Sequence, residues 1–147
     1  IKLDLFNCFV LHGGGWKKLI NLNVSDKEFK ELVFDTTGCK DVHNYYGMIE
    51  QTGSIYFECD HGSLHAPSNG DVLIRDANTF KVNEYGVEGL IQVFSTIQES
   101  YPGHSLLTED IGVLYPGSNC NCGREEDILV INGRLKSAEI RGCSDAV

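Results

Sequence analysis

The sequence predicts an α/β or α+β chain richer in strand than in helix. Short runs of β-branched, aromatic and leucine residues recur along it, polar or glycine-bearing turns separate them, and one segment has clear helical capping and periodicity. Leu3 to Leu11 (LDLFNCFVL) reads as a buried strand with Cys8 in its core pattern. It runs into Gly13, Gly14 and Gly15, which are costly inside a regular element and so form a loop where backbone can approach a ligand. Ser25 to Phe34 (SDKEFKELVF) reads as a helix: Ser25 caps it, Glu28 completes a capping box, and Phe29, Leu32 and Val33 share a face. Strands are expected over Ile55 to Cys59, Val72 to Asp76, Gly89 to Thr96 and Ile111 to Tyr115. Leu129 to Leu135 reads as two short strands around a turn, and Gly117 to Asp127 as a loop. No repeat interrupts the pattern, and residues 1–147 read as a single domain.

Composition excludes several classes. The chain has 147 residues, 41% of them apolar, enough for one core. A net charge of −9 argues against non-specific binding to nucleic acid or to anionic membranes, which favour a basic face. No segment reaches the roughly 18 to 20 apolar residues of a membrane span. The chain opens without Met and inside an apparent strand, which suggests a piece of a longer protein. Six cysteines at irregular spacings, with no export pattern, point to free thiols or metal ligands in a reducing cytoplasm rather than to disulfides.

Four blocks carry chemistry. In Tyr45 to Ser54 (YYGMIEQTGS), an aromatic-glycine pair after a helical segment offers a flat face beside open backbone. Glu50 suits a hard cation such as Mg²⁺. Gln51, Thr52 and Ser54 add hydrogen-bonding groups of the kind that contact phosphate. In Thr108-Glu109-Asp110, an Asp at a strand edge suits a bidentate grip on ribose hydroxyls. Gly133-Arg134 frees the backbone beside an anion-seeking guanidinium. Gly86-Val-Glu-Gly89 lies between them in order. Each block alone reads as a polar turn or surface loop; their order is what distinguishes them.

With the text around them (HGGGWKK, YGMIEQTGS, SYPGHSLLTEDIG, GRLKSAEIRGCS), these blocks resemble the acyl-protein synthetase family. This is the ligase component of the fatty acid reductase that supplies aldehyde to bacterial luciferase. Phenylacetate–coenzyme A ligases resemble the chain more distantly. The resemblance runs from Phe9 to Ser144 and implies the strand-rich C-terminal part of the adenylate-forming enzyme fold, with the lid domain absent. It implies that a carboxylic acid, expected to be a fatty acid, reacts with ATP to give acyl-AMP, and that the acyl group then passes to a protein thiol. Tyr46 and Gly47 would line the adenine and acyl pocket, Glu50 would bind Mg²⁺, Asp110 would hold the ribose and Arg134 would approach ribose or phosphate. Gly13, Gly14 and Gly15 would lie beside the nucleotide. Ile49 stands where many adenylating enzymes place Thr or Ser, so Thr52 or Gln51 would replace that contact. Lys136 and Ser137 stand where many relatives carry a hinge Asp. Without the upstream phosphate loop, this piece alone would be inactive. Two alternatives are an acyl–coenzyme A ligase and a non-catalytic, zinc-stabilised interaction module.

Cysteine and histidine supply a second constellation. Cys59 and His65 (CDHGSLH), with Cys120 and Cys122 (NCNCGR), provide the four ligands of a closed structural Zn²⁺ site, with His61 as the alternative imidazole. Phenylacetate–coenzyme A ligases are similar here. Cys143 lies near the C-terminus, where acyl-protein synthetases carry the Cys that accepts the acyl group; the other reading is an inert tail Cys. As acceptor it would face an acyl-carrier or reductase partner, and Arg141 would lower its pKa.

Overall fold

Local sequence decides most at the helix. In a computed structural model describing residues 3–14, 22 and 24–135, α1 spans Asp26–Thr37. The Ser25 hydroxyl accepts the Glu28 N–H at 3.2 Å, and the Glu28 carboxylate accepts the Ser25 N–H at 2.8 Å. This is the expected reciprocal box, and the Ser25 N–H and hydroxyl hold the Glu28 carboxyl below its usual range. The helix continues past Phe34 and stops at Gly38, where φ is 74° and the N–H returns to the Phe34 carbonyl. Its apolar residues are half-buried or exposed; Phe29 packs its ring on His12 at 4.6 Å.

The chain divides into two units, one containing residues up to Asn44 and one running from Tyr45. The first described strand, β1, spans Phe9–Gly13 and lies beside β2, Asp41–Tyr46. The strand expected from Leu3 is therefore shorter and later. Asp4 accepts the Phe6 N–H at 3.3 Å and the Leu5 carbonyl accepts the Cys8 N–H at 3.0 Å, which turns the chain before Phe9. Leu3, Phe6, Phe9 and Leu11 are exposed. Cys8 is exposed too, while Cys39 is fully buried and donates its thiol to the Cys8 carbonyl. Strand β2 escaped the sequence pattern, and Tyr45 and Tyr46 are its last two residues rather than the sequel to a helical segment.

In the second unit the end of β2 starts an antiparallel sheet. Its further strands are β3 (Tyr56–Glu58), β4 (Leu64–His65), β5 (Gly70–Arg75), β6 (Gly89–Ser95), β7 (Ser105–Tyr115) and β8 (Ile128–Arg134). The order is β2-β3-β4-β8-β7-β6-β5. Alternation on β5 and β6 sends Val72, Ile74, Ile91 and Val93 into one core with Tyr56, Ala66, Leu114 and Leu129. Strand β7 is longer than expected, and Leu129 to Leu135 contribute to one strand rather than two. The stretch between β7 and β8 is the expected loop, closed where Gly117 meets Glu125 and Glu126. A Cβ on Gly117 would lie 2.4 Å from the Glu125 carbonyl oxygen. No helix among the described residues is long and apolar enough to cross a membrane.

Gly112 sits at a tight point of this sheet. A Cβ there would lie 2.5 Å from the Val130 carbonyl oxygen and 2.8 Å from Ile91 Cδ1. Gly112→Ala is expected to destabilise the fold by about 1–3 kcal/mol in urea unfolding, the usual range for an overpacked core.

Candidate functional site

Two short connections bring four soft ligands together. After β3, the Gly62 N–H bonds the Cys59 carbonyl at 2.8 Å and Gly62 takes φ 77°, so the chain turns back into β4 and delivers His65. Between β7 and β8, a 3-10 turn over Gly117–Asn119 places Cys120, and Cys122 follows. The donor atoms of Cys59, His65, Cys120 and Cys122 all lie within 4.8 Å of one another. Cys59 Sγ and Cys120 Sγ are 3.6 Å apart; Cys122 Sγ and His65 Nε2 are 3.4 Å apart. Zinc bonds of about 2.3 Å to sulfur and 2.0 Å to nitrogen, at tetrahedral angles, separate their donors by about 3.5–3.8 Å. The sulfur pair is far beyond the roughly 2.05 Å of a disulfide.

His65 is fully buried, and its Nδ1 lies 2.8 Å from the Glu126 carbonyl. That carbonyl can only accept, so Nδ1 carries the proton and Nε2 presents its lone pair to the cysteines. This is the outer-shell arrangement that fixes a metal-ligating imidazole. The Cys122 N–H holds the Cys120 thiol down to about 6, with help from His65 and Ser63 against desolvation. At Cys122 the Arg124 N–H pulls the pKa down, but desolvation and the sulfurs of Cys120 and Cys59 outweigh it and leave the thiol raised. One thiolate is thus present at neutral pH in a closed set of four ligands that could hold a Zn²⁺ ion. His61 lies exposed outside the cluster.

A second polar cluster joins β2, β7 and β8. Asp110 lies within β7, opposite Arg134 on β8. The Tyr46 hydroxyl donates to Asp110 Oδ2 at 2.8 Å, and Arg134 Nε meets Oδ1 at 3.2 Å. Burial, and then the Asp110 charge, push the Tyr46 phenol well above its ordinary pKa, so it stays a donor at any physiological pH. Each carboxylate oxygen keeps a further lone pair for incoming hydroxyls. Arg134 also pairs with Glu109 at 2.8 Å, a partner the sequence blocks did not single out.

Glu50 and Thr52 lie elsewhere, on a cleft of about 500 Å³ lined also by Ile49, Ile97, Gln98, Glu99, Ser100 and Tyr101. Oxygen groups along it include the exposed carboxylates of Glu50 and Glu99 and the hydroxyls of Thr52, Ser100 and Tyr101. That set fits a hard cation. Gln51, by contrast, is buried and donates to the Gly103 and Val93 carbonyls at 2.8 and 3.3 Å; Ser54 bonds Ser95 at 2.6 Å. Both are structural, not free to meet phosphate.

Comparison with known proteins places the chain in a family. A model of the acyl-protein synthetases (LuxE) matches residues 3–147. The chain belongs to the acyl-protein synthetase family. The long-chain-fatty-acid–luciferin-component ligase of Vibrio harveyi is 25% identical over 138 residues, covering 92% of this chain and 35% of that protein. Its counterpart in Aliivibrio fischeri is 24% identical over 145 residues, covering 92% and 36%. The chain therefore spans about a third of the length of these curated relatives. The fold is shared with solved structures of adenylate-forming enzymes. A long-chain-fatty-acid–CoA ligase from Archaeoglobus fulgidus superposes with TM-score 0.57 at 14% identity, covering 92% of this chain and 30% of that one. A luciferase-like enzyme from Zophobas morio superposes with TM-score 0.56 at 20% identity, covering 92% and 33%.

In this synthetase-family chain the structure brings together Tyr46, Asp110 and Arg134, and separately the four soft ligands. Gly47 borders the first cluster in sequence. Gly13 ends β1 and Gly14 turns with φ 82° in the other unit. Gly15, Arg141 and Cys143 lie outside the described residues. Elemental analysis of the purified protein is expected to return one zinc per chain, lost in Cys120→Ser/Cys122→Ser. A stable, fully reduced protein without metal would count against the site.

Proposed function

We propose that the polypeptide carrying this chain activates a carboxylic acid, of the fatty class, with ATP and passes the acyl group to a protein thiol. The observation that carries this reading is Asp110, aimed by Tyr46 and Arg134 with acceptor capacity left over. In the first step a carboxylate oxygen attacks the α-phosphorus, forming acyl-AMP and expelling pyrophosphate. In the second a thiol displaces AMP, forming a thioester and releasing a proton. Asp110 grips the ribose hydroxyls and Arg134 stands beside them; Gly47 leaves open backbone for the base, with Tyr46 as its flanking ring. These residues act by positioning the reacting groups.

Glu50, with Glu99, Thr52 and Gln98 around it, would hold Mg²⁺, which supplies neutralisation of phosphate charge when bound. Gly13, Gly14 and Gly15 are assigned to the nucleotide side. Cys143 is assigned as the acyl-accepting thiol, from which a carrier or reductase partner would take the acyl group. The four-ligand site is read as structural zinc, since four protein ligands leave no open position for water. Free thiols in such a site suit a reducing cytoplasm.

ATP–pyrophosphate exchange on the polypeptide carrying this chain tests the reading. Asp110→Asn removes a charge from the ribose grip. Charge-assisted hydrogen bonds are worth about 1.5–3 kcal/mol, so KM for ATP is expected to rise about 10- to 100-fold, with KM for the acid little changed. An active enzyme whose ATP dependence ignores this substitution would refute the reading.

A further inference from the structure

The β7–β8 ladder slips by one residue beside the polar cluster. Gly112 pairs with Ile131, but Ile111 pairs with Gly133, which leaves Asn132 as the extra residue on β8. Had the earlier register continued, Gly133 would stand opposite Asp110, and Arg134 opposite Glu109. With Asn132 bulged out, Arg134 stands opposite Asp110. Directly opposed residues of an antiparallel pair share a face. The bulge therefore sets Arg134 on the face of Asp110, where Nε meets Asp110 at 3.2 Å while Nη2 still reaches Glu109 at 2.8 Å. Gly133, at φ 135°, carries the backbone through a conformation that side chains disfavour.

One side chain holds the bulge from outside the ladder. Asn132 Nδ2 donates to Glu88 Oε2 at 2.6 Å. Glu88 belongs to the Gly86-Val-Glu-Gly89 block, which neither cluster uses. That block is fixed independently of β8. The Gly86 N–H bonds the Leu114 carbonyl at 2.9 Å, and Asn83 Nδ2 bonds the Glu88 carbonyl at 3.0 Å. A Cβ on Gly89 would lie 2.2 Å from the Arg75 carbonyl oxygen, so the chain at this point passes hard against β5. The Glu88 carboxylate is thus presented to Asn132 by a framework of β5, β6 and β7.

We propose that Glu88 is a positioning residue for the nucleotide: its bond to Asn132 stabilises the bulge that sets Arg134 against Asp110. The inference rests on the reading of Asp110 as the ribose grip. Glu88 and Asn132 are both exposed. The effect is therefore graded, on the scale of a single hydrogen bond.

The test measures exchange kinetics in the polypeptide carrying this chain for Glu88→Ala, Glu88→Gln, Asn132→Ala and the Glu88→Ala/Asn132→Ala pair, beside Asp110→Asn. Glu88→Ala and Asn132→Ala are each expected to raise KM for ATP about three- to tenfold, with kcat and KM for the acid nearly unchanged. Glu88→Gln should stay near wild type, because its amide oxygen still accepts from Asn132. The double variant should be no worse than either single one, since both break one interaction. If Asp110→Asn is impaired while Glu88→Ala binds ATP normally, the positioning role is overturned and the ribose reading stands. If Asp110→Asn is unimpaired, both fall. A loss in Glu88→Ala that appears in kcat and thermal stability alike, without rescue by Gln, also overturns the proposal, because it marks a merely structural residue.

Discussion

The antiparallel pairing of β7 with β8 is the constraint from which both polar assemblies take their geometry. One end of this hairpin carries Asp110 and Arg134; the loop at its other end carries Cys120 and Cys122. Strand β7 is also the neighbour of β6, whose alternating residues supply the core, so it cannot slide without turning apolar side chains out. Gly112 lets β7 press against Val130 and Ile91 at the place where the register changes.

The two assemblies differ in ways that match their chemistry. Three thiols surround a fully buried imidazole, which is tied to backbone through the Glu126 carbonyl. Asp110 and Arg134 stand nearer to solvent, with side-chain exposures of 19% and 45%, and so stay reachable by a ligand. Solvent screening weakens the Arg134 pairs as sources of stability. Their value lies in orientation, which survives screening because the strands already hold the partners close.

Much of this was legible in the sequence, for identifiable reasons. The capping box needs only residues three apart, so Ser25 and Glu28 announced α1. Cysteine and histidine have few structural alternatives as a group, so Cys59, His65, Cys120 and Cys122 stood out although about sixty residues separate the two pairs. Strand β2 was missed because DVHNYY lacks the apolar run that marks a buried strand. The Leu3 segment was over-read for the opposite reason: apolar composition does not reveal the turn that Asp4 and Leu5 make. Gln51 and Ser54 looked like phosphate contacts because polarity in sequence does not distinguish a ligand-facing amide from one satisfied by the Val93 and Gly103 carbonyls. The bulge at Asn132 has no signature at all, because register belongs to the pair of strands and neither strand encodes it alone.

With the proposed zinc bound, the burial of His65 would couple folding to metal supply. The fully buried His65 Nε2 has the Cys122 thiol, a weak donor, at 3.4 Å, and a cation bound by the folded chain alone would add to the small margin by which domains stay folded. Newly made chains that capture a cation would be drawn into the native population. Those made under scarcity would linger among partly open forms exposed to proteolysis. The quantity of working protein would then track the cell's pool of exchangeable metal, even though no metal takes part in the proposed acyl transfer at this loop.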